Sequence, residues 1–256
     1  MTDHPRCSTL DLHEGVARLT VSNGTPLNIL NAATIEELIG RLDQLAARRE
    51  LRALVLAGAG ERAFVGGADI KEMARMDAAG ANAFITRLHA LCERVREFPV
   101  PTIARLRGWS IGAGMELAAA CDIRIAADDA RFTMPEIRIG IPSVIHAAFF
   151  GELIGQANAK WMLLTGAVVD AQQAQHWGFV SRLIDAGGLD AAIGEITDGI
   201  AACDADGIRA QKELLKQWDS PHLIQAARNS VQLIAAMFTS GKPQTLMQRF
   251  LDRKQT

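Results

Sequence analysis

Two glutamates in this chain sit among unusually apolar neighbours. Glu116 opens the run MELAAAC, and Glu136 lies within FTMPEI. A carboxylate surrounded by apolar groups has a raised pKa, which suits general acid–base work near neutral pH. Two such carboxylates held near one water can share a proton. The competing account is that each pairs with an arginine, Arg131 and Arg138 being near in sequence.

Two glycine-rich turns could supply the electrophilic half of such a site. They are FVGGADIK at residues 64–71 and GWSIGAGME at residues 108–116. Each follows a strand pattern and precedes a helix pattern. Small residues let backbone approach a ligand closely, and a helix start presents unpaired N–H groups. Two such turns face to face would form an oxyanion hole. The plain alternative is a pair of tight turns with no ligand. The second turn also spells GxSxG around Ser110, the nucleophile elbow of serine hydrolases. A hydrolase would need an acid such as Asp170 or Asp185, and then His222. None of these sits in a turn that follows a strand pattern.

The elements that position these residues can be read from periodicity. Residues 16–22 alternate apolar and polar, residues 51–57 form an apolar run, and 102–106 and 122–127 are further short strands. Residues 33–47 carry apolar side chains at helical spacing, and Thr34 with Glu37 fits a capping box. A helix bearing Phe84, Leu88, Leu91 and Val95 ends before Pro99, and residues 115–120 read as helical. Strand–helix alternation predicts right-handed parallel units. Helices dominate after Gly151, over 152–165, 171–178, 187–203, 206–217 and 221–239.

Composition narrows the class. The 256 residues are 49% hydrophobic and 22% charged, enough for a full core. Net charge is −2, from 27 basic and 29 acidic side chains, with no basic block, so a nucleic-acid partner is not expected. No apolar run approaches the roughly 18 residues of a membrane span, so no membrane partner is expected either. MTDHPRCSTL has no apolar signal core, and Cys7, Cys92, Cys121 and Cys203 are widely spaced without CxxC. The expectation is a cytoplasmic protein with reduced thiols and no metal. The absence of tyrosine excludes phenol chemistry.

The segments FVGGADIKEM, GWSIGAGMELAAACDIRIA, FTMPEIRIGIP and LTGAVVDAQQAQHWGFVSRLI, in this order, resemble the crotonase (enoyl-CoA hydratase/isomerase) superfamily over nearly the whole chain. The resemblance implies an α/β fold of the ClpP/crotonase type. A spiral of β-β-α units over residues 1–200 would hold an acyl-CoA site, and residues 201–256 would form a helical trimerisation region. It implies a homo-trimer or homo-hexamer, no cofactor, and CoA entering as part of the substrate. By position it makes the N–H groups of Ala68 and Ala113 the oxyanion hole, and Glu116 and Glu136 the two carboxylates of a hydratase. A Δ3,Δ2-enoyl-CoA isomerase, needing only Glu136, is the alternative. The implied CoA and acyl contacts are Leu27, Gly66, Gly67, Ala68, Asp69, Ile70, Lys71, Gly112, Ala113 and Ser143.

The sequence departs from the family pattern in three places. The glycine-rich run usual after the second glutamate reads SVIHAA at residues 143–148, which predicts a bulkier pocket floor carrying His146 as a hydrogen-bonded structural residue. NGTPLNIL at 23–30 lacks the usual basic side chain, and LTGAVV has Ala167 where relatives often have an acid. The last helices carry Ile208, Leu214, Leu215, Leu223, Ile224, Val231, Leu233 and Ile234. Their apolar faces are expected to bury against a neighbouring subunit.

Overall fold

A computed structural model describes residues 7–253. The chain opens with an antiparallel pair, β1 (Ser8–His13) and β2 (Val16–Val21), followed by α1 (Ala32–Ala46). Three β-β units then follow. The first is β3 (Ala53–Gly58) and β4 (Ala63–Val65), trailed by α2 (Ile70–Met73) and α3 (Ala78–Arg96). The second is β5 (Thr102–Leu106) and β6 (Trp109–Ile111), trailed by α4 (Ala113–Ala119). The third is β7 (Ile123–Ala127) and β8 (Arg131–Thr133), trailed by 3-10 turns at Glu136–Ile139 and Ile145–Phe149. The rest is α5 (Phe150–Ile154), α6 (Gln156–Thr165), β9 (Val168–Asp170), α7 (Ala171–His176), β10 (Arg182–Ile184), α8 (Leu189–Ala201), α9 (Ala205–Trp218), α10 (Pro221–Phe238) and α11 (Lys242–Arg253).

In each unit the first strand joins one sheet and the second joins another. The six-stranded sheet runs β1-β2-β3-β5-β7-β10, and the four-stranded sheet runs β4-β6-β8-β9. The chain therefore advances by one strand in both sheets per unit, which is a spiral. The central strands of the large sheet are covered on both faces, and so read as continuous apolar runs. Leu54, Leu56 and Ala104 pack into the main core with Leu88 and Phe132. Val55, Ile103 and Ile125 face Leu189 and Ile193 of α8 on the other side.

The small sheet is what places the chemistry. β4, β6 and β8 pair in parallel, with Val65 opposite Ser110 and Ser110 opposite Phe132. Their C-terminal ends therefore open at one edge, where ligand sites of α/β sheets form. The segments leaving that edge carry Ala68, Ala113 and Glu136.

Several expectations change. Helix α1 is capped by Asn31, whose Oδ1 accepts the Thr34 N–H at 2.8 Å. Glu37 is not part of a capping box: it accepts the Cys7 N–H and the Ser8 hydroxyl, tying β1 to α1. Strands β9 and β10 fall in the gaps between the predicted helices and have no counterpart in the sequence reading, because each has only three residues and no periodicity to show. The predicted helix over 152–165 is broken at Gly155, which stands at φ 79 between α5 and α6.

The last helices do not project away from the core. Val231, Ile234 and Phe238 of α10 and Met247 of α11 belong to the same hydrophobic core as Leu88 and Phe132, so Val231 and Ile234 bury within their own subunit. Gln244 Nε2 donates to Met76 O at 3.0 Å, drawing α11 over the end of α2. Helix α9 is tied down by the ion pair of buried Lys212 with Asp122. Leu214, Leu215 and Trp218 of α9 and Leu233 of α10 remain exposed.

Candidate active site

The candidate donors are backbone N–H groups. Leu30 N–H donates to Gly67 O at 2.8 Å, and Asp69 N–H donates to Leu30 O at 2.9 Å. In that parallel bridge the intervening Ala68 N–H points the opposite way. Ala113 is the first residue of α4, whose internal bonding begins with Glu116 N–H to Gly112 O at 3.0 Å, so its own N–H is left over. The two turns touch: a side chain on Gly67 would press on Ile111 O, and one on Gly114 would strike Val65 O. Gly112 is conformationally required. It stands at φ 51, ψ −116, and a Cβ there would overlap the Glu136 carboxylate.

Glu116 and Glu136 both line the cleft these turns border. Glu116 is 3% exposed and has no cationic partner among the described residues. Burial, with the charge of Glu136 added, pushes its carboxyl well above the usual carboxylate range, while the Ala147 N–H donated to Oε1 at 3.2 Å works the other way. Glu136 is half-buried at the start of its 3-10 turn. Burial pushes it up to about 7, against a hydroxyl donation from Ser143 to Oε2 at 3.0 Å. The arginines once paired with them in sequence are elsewhere. Arg131 donates to the carbonyls of Asp128 and Ala130, and Arg138 to that of Thr165. Both carboxyls line one apolar cleft, and burial raises the pKa of each.

The cleft and the open solvent at its mouth together span about 570 Å³ of empty space. Among the sequence candidates, Gly66, Gly67, Ala68, Ile70, Gly112, Ala113 and both glutamates line it. Asp69, Lys71, Leu27 and Ser143 are not part of that lining. Asp69 caps α2 through the N–H groups of Lys71 and Glu72, and Lys71 is exposed. Leu27 O accepts the Gly66 N–H, and Ser143 acts through Glu136. Sequence reasoning missed the apolar wall of Ile85 and Leu88 from α3, Val144, and Ile234 from α10. Helical periodicity marked Leu88 as apolar-faced without showing what it faces, and Ile234, expected to meet a neighbouring subunit, instead lines the cleft.

The profile of the enoyl-CoA hydratase/isomerase family matches residues 11–256. The chain belongs to that family. It is 31% identical over 240 residues to a probable enoyl-CoA hydratase of Mycobacterium bovis, covering 93% of this chain and 92% of that protein. It is 28% identical to the short-chain-enoyl-CoA hydratase of Clostridium acetobutylicum, with 93% and 92% covered. Among solved structures, an enoyl-CoA hydratase/isomerase from Xanthobacter autotrophicus Py2 superposes with TM-score 0.89 at 28% identity, covering 97% of this chain and 93% of that one. The enoyl-CoA hydratase of Bacillus anthracis gives 0.80 at 30% identity, with 88% and 89% covered.

The hydratase/isomerase frame also disposes of the GxSxG motif. Ser110 lies within β6, fully buried between β4 and β8, and its hydroxyl has no hydrogen-bond partner among the described residues. Asp170 instead caps α7 by accepting the Gln173 N–H. A strand-bound hydroxyl with no base beside it is not a nucleophile.

His146 is not on the pocket floor and is not hydrogen-bonded. It turns toward α3, 1% exposed, with both ring nitrogens unpartnered and Nε2 3.5 Å from Glu93 Oε1. Burial pushes it down to about 3, so it is neutral. Donor atoms of His89, Glu93 and His146 lie within 4.8 Å of one another. Arg96, however, holds both Glu93 oxygens at 3.0 and 3.2 Å, and its charge, with that of Arg228, opposes a further cation there.

Proposed function

We propose that the protein adds water reversibly to a trans-2-enoyl-CoA thioester. The observation that carries this reading is the pair of raised, cation-free carboxylates, Glu116 and Glu136, beside two left-over backbone N–H groups in one apolar cleft. The names of the family and of the relatives at about 30% identity support it.

In this reading the thioester oxygen accepts from the Ala68 and Ala113 N–H groups, so charge that develops on it is stabilised where it forms. Glu116 takes a proton from water as the hydroxide adds to the β-carbon. Glu136 gives its proton to the α-carbon. The pair ends with its proton on Glu116, and return of that proton to Glu136 resets the site. No redox step is needed, since water adds without net electron transfer, and CoA serves as part of the substrate. Trimeric assembly, or a dimer of trimers, is supported by the apolar side chains left exposed on α9 and α10.

The test is loss of conjugated enoyl-thioester absorbance across acyl-CoA chain lengths, with the 3-hydroxyacyl product identified by mass. Conversion of a Δ3-enoyl-CoA with no hydration would favour the isomerase reading instead.

A further inference from the structure

The segment that contacts both carboxylates, Ser143 at Glu136 and Ala147 at Glu116, contains an unusual backbone. Ile145 is buried and stands at φ 42, a left-handed conformation that a β-branched residue rarely adopts. Its N–H donates to the Ser230 hydroxyl of α10 at 2.7 Å, and that hydroxyl donates in turn to Ala227 O, also at 2.7 Å. Two residues on, the Ala147 N–H meets Glu116 Oε1 at 3.2 Å. Glycine would take the left-handed conformation without strain; isoleucine needs an external hold.

We propose that Ser230 is a positioning residue: by clamping the left-handed Ile145, it aims the Ala147 N–H at Glu116 and so sets which glutamate carries the shared proton. The chemistry is that of tautomer selection. Water activation requires Glu116 ionised and Glu136 protonated. A backbone N–H donated to Glu116 favours the ionised form at that position. The titratable groups facing Glu116 are Glu136 across the cleft and the buried Cys92 thiol of α3, which burial keeps protonated. His146, on the same turn, faces Glu93 instead. No cation therefore substitutes for the N–H. The inference rests on the role given to Glu116 above. It also gives α10 a second task, because the helix that supplies Ile234 to the cleft wall holds the catalytic turn from behind.

The experiment compares Ser230→Val with Ser230→Thr, side chains of one shape that differ in the hydroxyl. In hydration assays Ser230→Val should lower kcat about tenfold, the scale of one hydrogen bond to a charged group, with KM little changed. The acidic limb of its kcat–pH profile should move to higher pH, because Glu116 loses a donor to its ionised form. Ser230→Thr should restore both rate and profile. If the valine variant does not fold, Ser230→Ala gives the same comparison with less bulk. An unshifted profile at wild-type kcat would overturn the proposal, as would equal impairment of the valine and threonine variants. Glu116→Gln separates the levels. If it stays active, the hydratase roles fail; if it is inactive while Ser230→Val is unaffected, only the clamp fails.

Discussion

Glu93 and Glu116 lie on opposite sides of one short turn and have opposite fates. His146 of the Ile145–Phe149 turn faces Glu93, while the next residue, Ala147, donates its N–H to Glu116. Burial by itself would raise both carboxyls. At Glu93 the Arg96 guanidinium, bonded to both oxygens, more than offsets burial and holds the pKa below the ordinary value. At Glu116 no cation answers, and the nearest charge is another carboxylate, so the pKa stays high. Burial sets the cost of a carboxylate; a neighbouring guanidinium decides whether its pKa falls below the ordinary value or rises above it.

The comparison is broken most severely at the two raised carboxyls. Glu116→Gln and Glu136→Gln should each reduce kcat for hydration by about 10²–10⁴, the range of an acid–base group, with near-native folding by circular dichroism. Glu93→Gln should not approach that loss. Next in size is the opposite lesion. Arg96→Leu strands a buried carboxylate and should cost about 3 kcal/mol in urea unfolding at pH 7. Its cost should shrink as pH falls and Glu93 takes up a proton, since a lowered carboxylate stabilises the fold only where it is ionised.

A smaller effect has the reverse sign. Glu136 is raised from 4.5 to about 7, so the unfolded chain ionises first and stability is lost as pH rises through that window. Glu136→Gln should therefore gain on the wild type by about 1 kcal/mol or more between pH 4.5 and pH 7, read as a widening difference in Tm. The smallest effect is expected at Ser110, a buried hydroxyl with nothing to bond. Ser110→Ala should keep kcat within about twofold, and a serine-directed phosphonate should not label the protein. Labelling at Ser110 would end the two-carboxylate reading.

Much of this molecule was legible before folding. The strands read at 16–22, 51–57, 102–106 and 122–127 correspond to β2, β3, β5 and β7, because apolar runs bounded by turn residues carry their own signal. The two glycine turns were visible for the same reason: at Gly112, φ 51 with a carboxylate overhead leaves no room for any other residue. The three-residue strands β9 and β10 were not legible, since their stability comes from the neighbours they pair with. Asn31 displaced the predicted capping box because Glu37 had a better partner in the Ser8 hydroxyl and the Cys7 N–H, a contact thirty residues away in sequence.

The sequence by itself determined the residue types of the chemistry: two glutamates in apolar stretches, two small-residue turns after strands, and no cation adjacent to either acid that the fold then used. Only the tertiary structure decided how they act together. Parallel pairing of β4, β6 and β8 brings three distant segments to one edge, and that register is a property of the sheet, not of any segment. Arg96 meets Glu93 by local i,i+3 spacing on α3, whereas tertiary packing leaves Glu116 without a guanidinium among the described residues. It turns His146 away from the cleft and brings α10 back to wall it with Ile234. Local sequence specifies which groups are present. Their pKa values depend on the charges and dipoles within a few ångströms, and those neighbours are chosen by packing between residues far apart in the chain.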